Sequence, residues 1–290
     1  MKYDLHMHSN FSACANPNND YKTLLTKCEE NGLDVISITD HNAYPFHLIN
    51  MYQDVSPYFS GKIITGMECD VNESGMGFEV LAYNFDPVKL LDWTFTTYGT
   101  LESRQTKLKD KLIELIESHG LYYDKTLKYN PKTDYAHHYI YDAMKCSKTN
   151  EQLFKKYDIK NVHDFYRNST ANKDFPLYVH TGIFSPSIKT VLENVHNAGG
   201  VAILAHPYNY NNIDAKTLIQ LAIDNNIDGI EVYHPSADAS KQKYMLDIAK
   251  KHNLIITGGS DYHGTTHRGT ICINNASDIQ INIEKFVEFI

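Results

Sequence analysis

Short apolar runs alternate with longer amphipathic stretches along most of this chain, the rhythm of strands that pair in parallel and are covered by helices. The first run carries Asp4-Leu5-His6-Met7-His8. In an extended strand, alternate side chains share a face, so Asp4, His6 and His8 are expected to point one way and Leu5 and Met7 the other. Residues 21–31 show a helical pattern stopped at Gly32, and residues 33–39 form a β-branched strand ending in Asp40-His41. A third run, 62–67, ends in Glu68, and a fourth, 78–85, holds Glu79 inside it.

Beyond Pro87 the pattern changes. Residues 101–119 predict a long amphipathic helix, and 122–176 are rich in Tyr, Lys, Asn and Asp with no strand periodicity. The strand and helix rhythm returns later: a helix over 187–198 is stopped by Gly199-Gly200, and the run 201–205 leads to His206-Pro207. Helices over 218–226 and 241–252 alternate with the runs 229–234, which ends in His234, and 254–260, which leads to Asp261-Tyr262-His263-Gly264. The expected organisation is an α/β chain in which residues 1–94 and 176–290 form one barrel-like domain. Residues 95–175 are then a mostly helical insertion, placed in the sequence to act as a substrate cap.

Metal-binding side chains recur where these runs end: His6 and His8, Asp40 and His41, Glu68, His206, Glu231 and His234, Asp261 and His263. A single histidine at a strand end is usually a hydrogen-bonded structural residue, but packing alone does not explain the same residue types at six strands. In parallel α/β barrels the carboxyl ends of the strands build the active face. Imidazoles mixed with carboxylates suit manganese, iron or zinc, and there are more of them than one tetrahedral ion needs. Two or three divalent ions are implied. Paired ions activate a bridging hydroxide and neutralise an oxyanion, the arrangement that phosphate-ester hydrolysis uses.

Composition narrows the partners. The formal charge of -8 and the presence of only three arginines, Arg104, Arg167 and Arg268, exclude a basic stripe for a nucleic-acid backbone. No stable nucleic-acid partner is expected. The five cysteines show no Cys-x-x-Cys pairing and read as reduced thiols. With no signal-type stretch and no run long enough to span a bilayer, a cytoplasmic location without membrane attachment is expected.

Five segments also carry a family resemblance: Asp4-Leu5-His6-Met7-His8-Ser9, Ile38-Thr39-Asp40-His41, Gly66-Met67-Glu68, Ala205-His206-Pro207 and Gly259-Ser260-Asp261-Tyr262-His263-Gly264. In this order they resemble the motifs of the PHP (polymerase and histidinol phosphatase) superfamily. The resemblance implies a distorted seven-stranded (β/α) barrel, a two- or three-metal centre and a metal-dependent phosphoesterase acting on a small phosphate monoester, including nucleotides. It implies that His6, His8, Glu68 and Asp261 hold one ion, that Glu68 bridges to a second ion bound by His206, and that His41 and His263 belong to a third.

Two positions depart from the pattern. Glu79 stands where the family has an imidazole, and remains a ligand type suited to harder ions such as manganese. Ala13 stands where the family usually has Asp, which leaves the third ion as the one expected to bind least tightly. Asp40 is expected to orient neighbouring histidines, as carboxylates behind metal-bound imidazoles do. Candidate general acids for the leaving group are His180 and His234, and Arg268 is a candidate phosphate clamp. Two competing readings are an amidohydrolase and a catalytically silent metal-binding domain. The first usually adds a modified lysine, and no lysine ends an apolar run here; Ala13 and Glu79 favour the second.

Overall fold

Strand pairing divides the chain into two sheets. The computed structural model describes residues 2–12, 14–179, 182–210, 213–264 and 274–275. In the first sheet β1 (Lys2–Asp4), β2 (Val35–Ile36) and β3 (Lys62–Ile63) pair in parallel, and β9 (Asn274–Asn275) joins β1 antiparallel. The second sheet runs β4 (Gly66–Glu73), β5 (Met76–Tyr83), β6 (Val201–Leu204), β7 (Gly229–Tyr233) and β8 (Ile255–Gly258), with the last three parallel. The α/β class is as expected. The seven-stranded barrel does not appear as a closed ladder: among the described residues the sheets meet through isolated bridges, Met7 with Tyr262 and His41 with Glu68.

The region around Glu68 differs from the sequence expectation. The apolar run 62–67 does not continue as one strand to Glu68. It breaks after Ile63, and Gly66 opens β4, where an added Cβ would overlap Ser37 and Thr39. β4 and β5 then form an antiparallel hairpin closed by Ser74 and Gly75, at φ 52° and 85°. Two positive-φ residues at a two-residue turn match the twist of antiparallel strands. Glu68 and Asp70 therefore sit inside β4 on one face, and Asp70 lies opposite Glu79.

Helices α1 (Tyr21–Glu30), α2 (Pro45–Asn50), α8 (Ile188–Asn197), α9 (Ala215–Asp224) and α10 (Ala239–His252) belong to the same unit as the sheets. Their starts are fixed by side chains that accept backbone N–H groups, such as Asp20 from Thr23 and Asp238 from Lys241. Leu5 packs with Leu81, Tyr83, Ile203 and Ile255, whereas Met7 packs with Leu24, Leu25, Cys28 and Phe46. Their expected common face is lost because regular pairing of β1 ends at Asp4.

By contacts the chain forms two compact units, Met1–Thr97 with Ser185–Ile290, and Tyr98–Phe184. Helix α3 (Pro87–Tyr98) ends at the boundary. The second unit contains α4 (Leu101–Ser118), α5 (Ala136–Met144), α6 (Glu151–Lys156) and α7 (Val162–Ala171), around a core that includes Leu112, Ile116, Ile140, Phe165 and Phe175. Among the described residues no helix is long and apolar enough to cross a membrane.

Candidate metal centre

Four side chains from three parts of the chain meet at one point. The Nε2 atom of His6 lies 3.3 Å from Glu68 Oε1 and 3.5 Å from Asp261 Oδ1. His8 Nε2 lies 3.2 Å from Glu68 Oε2 and 3.3 Å from Asp261 Oδ1. Glu68 also receives His206 Nε2 at 2.9 Å and His41 Nδ1 at 3.1 Å, so its two oxygens touch four imidazoles. Glu79 Oε2 lies 3.7 Å from His206 Nε2. Nitrogens of His8, His41 and His263 gather within 4.8 Å of one another. His234 Nε2 is 3.6 Å from Asp261 Oδ2.

The surrounding hydrogen bonds decide which nitrogen of each ring is free. His6 Nδ1 faces Glu231 Oε1 at 2.9 Å, and a carboxylate can only accept, so this nitrogen carries hydrogen and Nε2 keeps its lone pair. Ser12 Oγ donates to Asp40 Oδ1 at 2.6 Å and accepts from the backbone N–H of His41 at 3.0 Å. With its proton committed to Asp40, Ser12 accepts from His8 Nδ1 at 3.1 Å, which again leaves Nε2 free. His263 Nδ1 donates to the carbonyl of Asp261 at 2.7 Å. His234 is set the other way: its Nδ1 accepts the backbone N–H of Ser236 at 3.1 Å, so the neutral ring carries its hydrogen on Nε2, facing Asp261.

Charge and burial act in opposition throughout the cluster. Burial penalises the charge of Glu68, but the imidazoles of His41, His6 and His206 hold it well below the usual carboxylate range. Burial likewise opposes protonation of His206, and the hydrogen bond to Glu68 together with the Glu79 charge still carries it up to about 9. Glu79 is pushed up by burial and then by the neighbouring charge of Glu68, although the Tyr210 hydroxyl donates to its Oε2 at 2.7 Å. Asp4 is pushed up to about 7, mainly by burial.

The sequence-derived candidates divide clearly. His6, His8, His41, Glu68, Glu79, His206, His234, Asp261 and His263 come together. Asp40 stands behind them and reaches His8 through Ser12, while Asp4 accepts the backbone N–H groups of His6 and Ser260. His180, Arg268 and Ala13 lie outside the described residues. Residues that the sequence reading did not single out include Ser12 and Asp70; Glu231, expected among the ligand types at the strand ends, instead faces His6 Nδ1. Strand alternation from Glu68 would have found Asp70. Nothing in the sequence marks Ser12 as the link between Asp40 and His8.

The donor set fits divalent ions. Bonds of about 2.1 Å at tetrahedral angles place ligand atoms roughly 3.4 Å apart, close to the His6, His8, Glu68 and Asp261 spacings. Five buried atoms of the cluster, His6 Nε2, His8 Nε2, Glu68 Oε2, His206 Nδ1 and His234 Nε2, have no hydrogen-bond partner. Burying so many polar atoms without partners is costly, and cations would satisfy the lone-pair atoms among them.

Comparisons with known proteins bear out the family resemblance. The model of the PHP domain family matches residues 4–173. A 5'-3' exoribonuclease of Haemophilus influenzae is 26% identical over 269 residues, covering 90% of each chain. A solved structure from Bifidobacterium adolescentis, described as a candidate metal-dependent phosphoesterase, superimposes with a TM-score of 0.62 at 22% identity, covering 96% of this chain and 94% of that one. An amidohydrolase from Chromobacterium violaceum, solved with bound sulfate and no metal, gives a TM-score of 0.68 at 18% identity, covering 100% and 96%.

Proposed function

The chain belongs to the PHP domain family, and on that premise we propose that it is a metal-dependent phosphoesterase acting on the phosphoester of a nucleotide. The observation that carries this reading is the convergence of unpartnered, buried imidazole nitrogens on the carboxylate of Glu68. In this reading His6, His8, Glu68 and Asp261 hold one ion, Glu68, Glu79 and His206 a second, and His41 and His263 a third. Manganese, iron and zinc all suit these donors. Divalent ions bound there supply Lewis acidity, which polarises phosphoryl oxygens and makes water a stronger nucleophile at neutral pH.

The protein's own groups do the rest. Glu231 and Ser12 fix the tautomers of His6 and His8, so both present Nε2 lone pairs without reorganisation. His234 holds a proton on Nε2 beside Asp261 and is the donor to the leaving oxygen. Arg268 and His180 remain sequence-based candidates for phosphate contact and proton transfer.

The exoribonuclease name of the Haemophilus influenzae relative supports a nucleotide substrate and extends it from a free small ester to the 5' end of an RNA. The charge of -8 supports engagement of a terminal nucleotide rather than a long backbone. The insertion over 95–175 is the element we assign to substrate selection, on its place in the sequence.

Purified protein supplied with manganese is expected to release nucleotide or inorganic phosphate from 5'-phosphorylated oligoribonucleotides or mononucleotides. Cleavage of amide substrates without phosphoester turnover would replace this reading with an amidohydrolase. Bound metal with neither activity would leave the silent domain.

A further inference from the structure

Glu79 is a flexible side chain among like charges. Asp70 lies opposite it across β4, and one oxygen of each carboxylate falls within 4.8 Å of the other and of a His41 ring nitrogen. Glu68 stands in the same cluster, against His206. Repulsion between these carboxylates drives Glu79 away from His206 and towards solvent, to which 25% of its side chain is exposed.

Tyr210 opposes that drift. Its hydroxyl donates to Glu79 Oε2 at 2.7 Å and accepts the backbone N–H of the same residue at 2.8 Å. Both functions of one hydroxyl are thus spent on Glu79. The contact follows from the way β6 ends. Pairing of β5 with β6 stops at Val80 and Leu204, and the carbonyl of Glu79 still accepts the N–H of Ala205 at 3.1 Å. The chain then turns, with the N–H of Asn209 donating to the carbonyl of His206 at 2.9 Å. That turn returns Tyr210 to β5, where its hydroxyl takes the Glu79 N–H that β6 no longer reaches. The Tyr210 and His206 rings lie 5.4 Å apart, and the oxygen that Tyr210 holds, Oε2, is the one 3.7 Å from His206 Nε2.

We infer that Tyr210 is a positioning residue for the second ion, anchoring the Glu79 carboxylate beside His206 so that both face the ion already oriented. This rests on the metal-dependent reading of the centre. A phenol suits the task because it is neutral. It occupies one lone pair of Oε2 and leaves the charge and the remaining lone pairs of the carboxylate to the ion, whereas a lysine or arginine would neutralise that charge.

Manganese binding tests this without relying on turnover. Full-length wild-type, Tyr210→Phe, Glu79→Ala and double-variant chains are titrated with manganese and compared by the electron paramagnetic resonance signal of exchange-coupled ion pairs. Wild-type protein is expected to show the coupled signal. In Tyr210→Phe the second manganese binds about 10- to 100-fold more weakly, and at a concentration that saturates the wild type the coupled signal gives way to that of single ions, with circular dichroism unchanged. In the Glu79→Ala background the same change at Tyr210 has no further effect, because the hydroxyl acts through Glu79. An unchanged second constant in Tyr210→Phe, an equal loss in both backgrounds, or a Tyr210→Phe chain that unfolds where Glu79→Ala folds overturns the assignment of Tyr210 alone. Wild-type protein that binds manganese without the coupled signal removes the second ion and the role of Tyr210 together. A wild-type chain that binds no manganese overturns the metal-dependent reading as well.

Discussion

His206 and Asp261 hold left-handed backbone angles, φ 23° and 55°, just beyond the ends of β6 and β8. Such conformations cost a non-glycine residue of order 1–3 kcal/mol and persist where surrounding bonds over-determine them. Here the backbone N–H of His206 donates to Glu231 Oε2 at 2.8 Å, and that of Asp261 donates to the carbonyl of His6 at 2.8 Å. Because asparagine tolerates the left-handed region, Asp261→Asn separates the charge from the backbone. We expect Asp261→Asn and His8→Ala to fold normally by circular dichroism, lose bound metal and lose turnover. Asp40→Asn should cost only about 10- to 100-fold in metal affinity, because Asp40 acts through Ser12. Wild-type activity in His8→Ala would show that the cluster is not the centre. The ligand types were legible in the sequence because charged residues interrupt apolar runs. The supports were not, because serine at position 12 and the Nδ1 role of Glu231 depend on contacts 28 and 225 residues away in sequence.

At the scale of elements, sequence periodicity recovered the helices better than the strands. The helix expected over 101–119 is α4, Leu101–Ser118, while the strand expected over 33–39 keeps only Val35–Ile36 in regular pairing. Strand ends curl here to bring ligands together, and apolar content does not record where pairing stops. The β4–β5 hairpin was missed although Ser74-Gly75 is a turn signal, since the apolar residues 62–67 read as a strand leading directly to Glu68. Helix α2, which was also missed, carries a measurable consequence. Its His47 is 2% exposed, with Nε2 facing the carbonyl of Ile38 at 2.7 Å. Burial lowers this imidazole from 6.5 to about 4, against the opposing effect of that bond. The unfolded chain therefore takes up a proton below about pH 6.5 that the folded chain refuses until about pH 4. The stability contributed by neutral His47 is fully present above the unfolded value and is lost as pH falls between the two. Urea denaturation should show about 2 kcal/mol more loss from pH 7 to pH 5 in the wild type than in His47→Gln. Equal losses would mean that His47 titrates alike in both states.

For the whole molecule the deciding quantity is charge. A net charge of -8 with three arginines among 290 residues gives no general attraction for a polyanion, so the proposed function predicts that an RNA substrate is held by its end. Binding of single-stranded nucleic acid through Z phosphates changes log affinity with log salt at a slope of about −0.7Z, which separates end recognition from backbone tracking. If one or two phosphates are gripped at the metal centre, the slope should be near −1, and KM for 5'-phosphorylated oligoribonucleotides should stop falling after the first few nucleotides. The metal-binding residues would contribute the same increment to a dinucleotide as to a long strand. The measurement is steady-state KM for a length series at several salt concentrations, with free manganese held constant. A slope several times steeper, or a KM that keeps falling with length, would mean that the chain presents an extended phosphate-binding surface despite its negative balance, and the substrate would then be the RNA strand rather than its terminal nucleotide.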